Sequence, residues 1–244
     1  MTATLVVPPP ERTKKPAHNN QTLPLFAGDR LSRAEFERRY HARPEIKKAE
    51  LIEGVVYMPS PVQYKRHGNP HLYLGGWLTT YLANTPGVEG GDNVTVRLDN
   101  QNEPQPDLLL RLDRVLGGRS FIGPDDYVEG APELIVEIAA TSASYDLHDK
   151  KHVYARNGVA EYLVALTYEE RVVWFILREG EYEELQPDAD GILRSEVFPG
   201  LWLQPSALWE NDLAGLLAVV QRGLASEEHR AFAERLQGGA VVRE

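Results

Sequence analysis

The chain has 244 residues, 42% hydrophobic and 25% charged, with a formal net charge of −10 and no cysteine. These figures fit a soluble globular protein able to bury a full core, and they exclude a disulfide framework, a thiolate nucleophile and a cysteine-type zinc site. The acidic balance weighs against indiscriminate nucleic-acid binding, which needs a positive field, but it is uneven: residues 167–196 hold nine acidic and three basic side chains, residues 29–50 five acidic and seven basic.

The first 22 residues are Pro-rich and polar and lack the apolar core of a signal peptide, so a disordered tail and a cytoplasmic address are expected. No apolar run is long enough to span a bilayer, so no membrane partner is expected. Ser32 followed by Glu35 reads as a capping box, with Leu31 and Phe36 as a hydrophobic staple, and predicts a helix over 33–41 that ends before Pro44. AELIEGVVYM predicts two strands, 49–52 and 55–58, turning at Glu53-Gly54. Apolar residues at 72, 74, 77, 78, 81 and 82 predict a helix over 67–84, although Gly75-Gly76 weakens the pattern.

NVTVRLD and PDLLLRLD read as strands, and residues 113–130, full of Gly, Pro and Asp, as a long loop. ELIVEIA, a helix over 146–157 stopped by Gly158, and EYLVAL make a βαβ unit with two parallel strands. RVVWFILREGEYEELQP reads as a hairpin turning at Glu179-Gly180, with Trp174 and Trp202 in the core. Helices are expected over 209–237. The order indicates an α/β domain with one mixed sheet over 23–205, followed by a helical extension over 206–244.

One position conflicts with this apolar economy. In the run 134–138, alternation puts Ile135, Glu137 and Ala139 on one face. A lone buried carboxylate costs several kcal/mol unless it is paired or bound to a metal; otherwise Glu137 must lie at an open, solvated sheet end. Asp107 opens the run PDLLLRL. If its strand neighbours 133–138, the two acids converge on what would be a minimal Mg²⁺ site.

The pattern resembles the PD-(D/E)xK restriction-endonuclease-like nucleases, in which Asp and Glu hold Mg²⁺ and a lysine activates water. The usual lysine position, two after the Glu, is Ala139 here. The segment EIAATSASYDLHDKKHVYARNGVAEY instead resembles one branch of that superfamily, the Uma-two type putative restriction endonucleases, which carry the lysine on the following helix. ELIEGVVYMPSP, RLDNQNEPQPDLLL and FPGLWLQPSALWENDLAGLLAVVQRGL extend the resemblance to roughly residues 25–237, far beyond a chance match.

The resemblance implies a restriction-endonuclease-like α/β fold and an Mg²⁺-dependent endonuclease (Mn²⁺ a possible substitute) acting on nucleic acid, DNA above RNA. Asp107 and Glu137 would be the metal ligands and Lys150 the residue that positions water. Asp146, Lys150 and Tyr154 fall on one helical stripe, whereas Lys151 shares its stripe with Leu147 and Ala155, so Lys150 is the lysine expected to reach Glu137. If burial depresses its pKa, Lys150 also accepts a proton.

Asp146 is expected to cap the helix or anchor Lys150, and Tyr154 to pack with its hydroxyl satisfied. Glu50 matches the family's early glutamate, either a third acid near the metal or a partner for Lys47 or Arg43. His67, at the family's usual histidine, is either a rim residue touching phosphate or water or a surface or cap histidine. His71 lies four residues on, but HGNPH contains a proline and no carboxylate, which makes a weak metal motif. The family implies a homodimer, for which RVVWFIL offers an apolar pairing surface. The rival reading is a catalytically silent nuclease-like module that serves dimerisation or protein binding.

Overall fold

The computed structural model describes residues 22–241; the tail expected over 1–22 lies outside these, apart from its last residue. α1 (Arg33–His41) starts where expected, with Ser32 Oγ accepting from the Glu35 N–H. β1 (Glu50–Ile52) and β2 (Val55–Tyr57) form a tight hairpin whose turn residues, Glu53 and Gly54, both have positive φ. A π-helical turn, Tyr64–Gly68, leads into α2 (Asn69–Asn84). Gly75 and Gly76 do not interrupt it, because α2 is held by its buried Leu74, Trp77, Leu78 and Tyr81.

The next strand is β3 (Val88–Asp92), inside a stretch without a strand pattern. The run 93–99 yields only the short β4 (Val96–Arg97), and β5 (Leu108–Leu112) follows. β6 (Phe121–Ile122) and β7 (Val128–Glu129) interrupt the expected loop and join β4 in a separate three-stranded sheet. Arg97 explains why: its guanidinium bonds Asp125 and Glu129, tying β4 to that side rather than to β5.

β8 (Leu134–Ala139) is followed by a continuous helical segment: α3 (Ala143–Tyr145), a π-helical turn (Asp146–Lys150) and α4 (Lys151–Asn157). Gly158, at φ +84°, closes it as the left-handed cap. β9 (Glu161–Leu166) is parallel to β8, as the βαβ pattern requires, and β10 (Arg171–Arg178) and β11 (Glu181–Glu184) form the following hairpin. β12 (Leu193–Arg194), β13 (Trp202–Leu203), α5 (Pro205–Trp209), α6 (Leu213–Leu224) and α7 (Glu227–Val241) complete the described chain.

The main sheet has the order β11-β10-β9-β8-β5-β3, antiparallel except for β8 with β9. Its strands alternate between two cores. Leu134, Val136, Ile138 and Trp174 face α2, α6 and α7, where Trp77 meets Trp174 edge to face at 5.8 Å. Ile135, Ala139, Val164 and Phe175 face α4 on the other side, together with Ile52 of β1. The segment expected as a helical extension contributes Leu208, Leu216, Val220, Phe232 and Leu236 to the first of these cores.

Two expectations fail here. Trp202 is only partly buried, with Arg194 stacked 3.9 Å from its ring, because β13 lies outside the main sheet. The run RVVWFIL is no pairing surface: β10 lies between β9 and β11, and Val172–Ile176 is buried within one chain. Among the described residues, no helix is long and apolar enough to cross a membrane.

Candidate active site

β5 and β8 place the two acids. Their antiparallel register pairs Leu108 with Val136, so one step further Asp107 stands opposite Glu137. Pro106 precedes Asp107 and cannot donate to a ladder, which fits a position just outside the strand. Asp107 Oδ2 accepts from the Ile138 N–H at 2.8 Å, fixing the carboxylate against the end of β8. Its Oδ1 lies 3.3 Å from His67 Nε2 and 3.7 Å from Lys48 Nζ. Burial works to raise the pKa of Asp107, yet His67, Lys48 and the Ile138 amide outweigh it and hold the carboxyl at about 2.

Glu137 is 4% exposed and points at the helical segment that follows its own strand. Its Oε1 accepts from Lys150 Nζ at 2.9 Å and from the Tyr154 hydroxyl at 2.9 Å. Lys150 Nζ also lies 3.0 Å from Glu50 Oε1 and 3.7 Å from Asp146 Oδ1. Lys151 turns away and sits 4.0 Å from the Phe175 ring. The structure thus brings Glu50, Glu137, Asp146, Lys150 and Tyr154 together and excludes the neighbouring lysine.

Burial raises the pKa of Glu137 to about 8, assisted by the charges of Asp107, Asp146 and Glu50 and opposed by Lys150. Asp146 is raised for the same leading reason. For Lys150, burial alone would favour the neutral amine, but Glu137, Glu50 and Asp146 outweigh it and hold the pKa well above its ordinary value. Lys150 is therefore a fixed ammonium, and the expectation of a proton-accepting lysine fails on the carboxylates that ring it.

The accessory positions resolve as follows. Glu50 bonds the Gln105 N–H at 2.7 Å as well as Lys150, in place of Lys47 or Arg43. Asp146 lies three residues past the start of the helical segment and does not cap it. Tyr154 packs on Tyr162 at 4.9 Å with its hydroxyl on Glu137. His67 lies in the wall of the site, on a π-helical turn; the second π-helical turn carries Asp146 and Lys150. Two such turns at one cavity are notable because π-bulges concentrate at functional sites.

The cavity has a volume of about 710 Å³ and is lined by Asp107, Glu137, Glu50 and Lys150 at its base and by Lys48 and Arg66 among others. Arg66 donates to the Thr167 carbonyl at 2.7 Å and stacks 4.5 Å over the Tyr168 ring. In the sequence Lys48 and Arg66 belong to the basic stretches KK at 47–48 and YKR at 64–66 and carry no catalytic motif. His71 makes only a weak metal motif in the sequence, because HGNPH contains a proline and no carboxylate. Proline is tolerated in a helix's first turn, where Pro70 sits, so His71 faces the site after all. One ligand atom from each of His67, His71 and Asp107 lies within 4.8 Å of the others.

Four carboxylates (Glu50, Asp107, Glu137, Asp146) meet three cations (Lys48, Arg66, Lys150) in this cavity, which leaves one negative charge unbalanced when all are ionised. Glu137 Oε2 accepts no hydrogen bond among the described residues. A hard divalent cation fits both facts: it takes oxygen ligands and supplies the missing charge.

Comparison with known proteins gives the family and the fold. A family model described as "Uma2: Putative restriction endonuclease" matches residues 33–206. The fold is similar to the crystal structure of "a putative nuclease belonging to DUF820" from Anabaena variabilis ATCC 29413, with a TM-score of 0.53 and 14% identity, covering 71% of this chain and 96% of that one. At that identity the likeness speaks to the fold, here a restriction-endonuclease-like mixed sheet flanked by helices. No curated protein matches the chain.

Proposed function

The chain belongs to the putative restriction endonuclease family described by Uma2, and from that premise we propose that it is a divalent-metal-dependent endonuclease that hydrolyses phosphodiester bonds of DNA. The observation that carries the reading is the convergence of the buried Asp107 and Glu137 carboxylates on one cavity, with Glu137 Oε2 free of hydrogen bonds among the described residues beside a lysine that is itself fully ion-paired. A stable core alone would not favour four buried carboxylates around one cavity, since taking each out of water costs free energy.

Asp107 and Glu137 would hold Mg²⁺ or Mn²⁺, which supplies Lewis acidity at a phosphate oxygen and an ionised water at neutral pH. The chain's own residues do the positioning. The Ile138 amide fixes Asp107, and Lys150 with Tyr154 fixes Glu137. Lys150, as an ammonium, orients the attacking water and steadies charge on the phosphate; Asp146, its most distant partner at 3.7 Å, is the contact it gives up to do so. Lys48 and Arg66 at the cavity wall offer cations to the backbone phosphates, which offsets locally the net charge of −10.

The test is conversion of supercoiled plasmid to nicked or linear forms by purified protein with Mg²⁺ or Mn²⁺, with a chelator control. Asp107→Asn and Glu137→Gln should each lower the rate roughly 100-fold or more, the scale seen when one charge-stabilising group is lost. An unmodified chain that leaves plasmid, single-stranded DNA and RNA intact with every divalent ion overturns the proposal in favour of a catalytically silent module.

A further inference from the structure

The carboxylates that hold Lys150 do not account for two histidines in the same cavity. His67 Nε2 lies 3.3 Å from Asp107 Oδ1, on the side of the carboxylate away from the Ile138 amide. His71 packs against it edge to face, with ring centroids 5.4 Å apart. Its Nε2 is buried and makes no hydrogen bond among the described residues, although Asp92 Oδ1 lies 3.4 Å away. An unbonded buried imidazole nitrogen is costly unless something occupies it.

We propose that His67, His71 and Asp107 form a second cation site, two nitrogens and one oxygen, which takes a first-row transition ion such as Zn²⁺ or Co²⁺ rather than Mg²⁺. Metal–ligand distances of about 2.0–2.2 Å put three equivalent ligands of one ion at most ~3.8 Å from one another, and the three ligand atoms already lie within 4.8 Å. A closure of up to about 1 Å completes the site. Imidazole donors select borderline ions, whereas Mg²⁺ prefers oxygen and water.

Both histidines are held by regular backbone, His67 by the π-helical turn and His71 by the first turn of α2, so little ordering is needed. Asp92, exposed at the end of β3, neighbours His71 at 3.4 Å but lies outside the cluster of three. Lys48 opposes binding, 3.7 Å from the shared carboxylate, but it is hydrogen-bonded to Asn93 and partly exposed, so it has room to withdraw. Asp107 would then serve two ions, its Oδ1 facing the histidines.

The inference concerns binding and does not depend on the nuclease reading. Untagged, metal-free full chain is titrated with Co²⁺ in excess Mg²⁺ and followed by visible absorption, with Zn²⁺ as competitor. One Co²⁺ per chain should bind with the bands of an imidazole-ligated ion and be displaced by Zn²⁺. His67→Asn and His71→Asn should each weaken binding by at least ~10-fold, a loss that even outer-shell changes can cause, whereas Glu137→Gln should retain the bands.

In the unmodified chain, the Co²⁺ form should give hyperfine-shifted ring N–H resonances from two histidines, a readout that needs no variant to fold. Absence of Co²⁺ binding, absence of those resonances, or loss of the bands in Glu137→Gln with His71→Asn unaffected overturns the site. An inactive protein that binds Co²⁺ through His71 refutes only the nuclease reading. An active nuclease whose Co²⁺ binding ignores His71 refutes only this one.

Discussion

Replacing Lys150 by methionine isolates the electrostatic argument. The side chain is 4% exposed and its volume is nearly kept, so the change is mainly the loss of one buried positive charge. Glu137, Glu50 and Asp146, at 2.9, 3.0 and 3.7 Å from Nζ, then face one another without it. Removing one partner of a buried pair costs about 3–5 kcal/mol. In a chain of this size that lowers Tm by about 6–20 °C, at roughly 2–4 °C per kcal/mol.

The pH dependence has a definite sign. Glu137, whose folded pKa is about 8, and Asp146, also raised, bind protons more readily folded than unfolded. Stability from such groups is complete below the unfolded carboxylate pKa and is lost as pH rises through the folded one. The Lys150→Met penalty should therefore be larger at pH 8 than at pH 6 in metal-free urea titrations. A loss below about 1 kcal/mol, or one equal at both pH values, refutes the reasoning.

Three further outcomes follow from the same structure. Lys151→Ala removes only a cation–π contact with Phe175, so stability should fall by about 1 kcal/mol or less, and plasmid cleavage should stay near that of the unmodified chain; a crippled enzyme would mean the wrong lysine was chosen. Gly158→Ala forces a side chain into φ +84° at the cap of α4 and should cost about 1–2 kcal/mol in denaturant titration; a neutral result would contradict the left-handed cap. Mg²⁺ should raise Tm more at pH 8 than at pH 6, because Glu137 must give up its proton to bind an ion, and Asp107→Asn should abolish most of that shift; equal shifts at both pH values would contradict the role of Glu137.

Much of this site was legible because its geometry is local or periodic. Alternation along 134–139 put Glu137 on one face, the four-residue stripe selected Lys150, and the βαβ pattern made β8 and β9 parallel. What escaped depends on contacts distant in sequence. β3 carries no strand pattern because Gly90 and Gly91 stand where a side chain is excluded: a Cβ on Gly90 would meet Leu82 Cδ1 of α2 at 2.6 Å. Glu50 was legible only through the family resemblance, and only as one of two alternatives, because it reaches Lys150 from the far hairpin, which no local signal indicates. The direction of the Lys150 pKa could not be read either, since it turns on three carboxylates from three elements outweighing burial. His71 was legible only as a weak motif, although Pro70 lies where a helix accepts proline, because the carboxylate it joins, Asp107, comes from a distant strand.

A crystal structure of the protein grown with Mn²⁺ and measured for anomalous scattering tests the central claim most directly. The account predicts a peak in contact with carboxylate oxygens of both Asp107 and Glu137. Anomalous density that never touches Glu137, with Lys150 still the sole cation at its side chain, would contradict it.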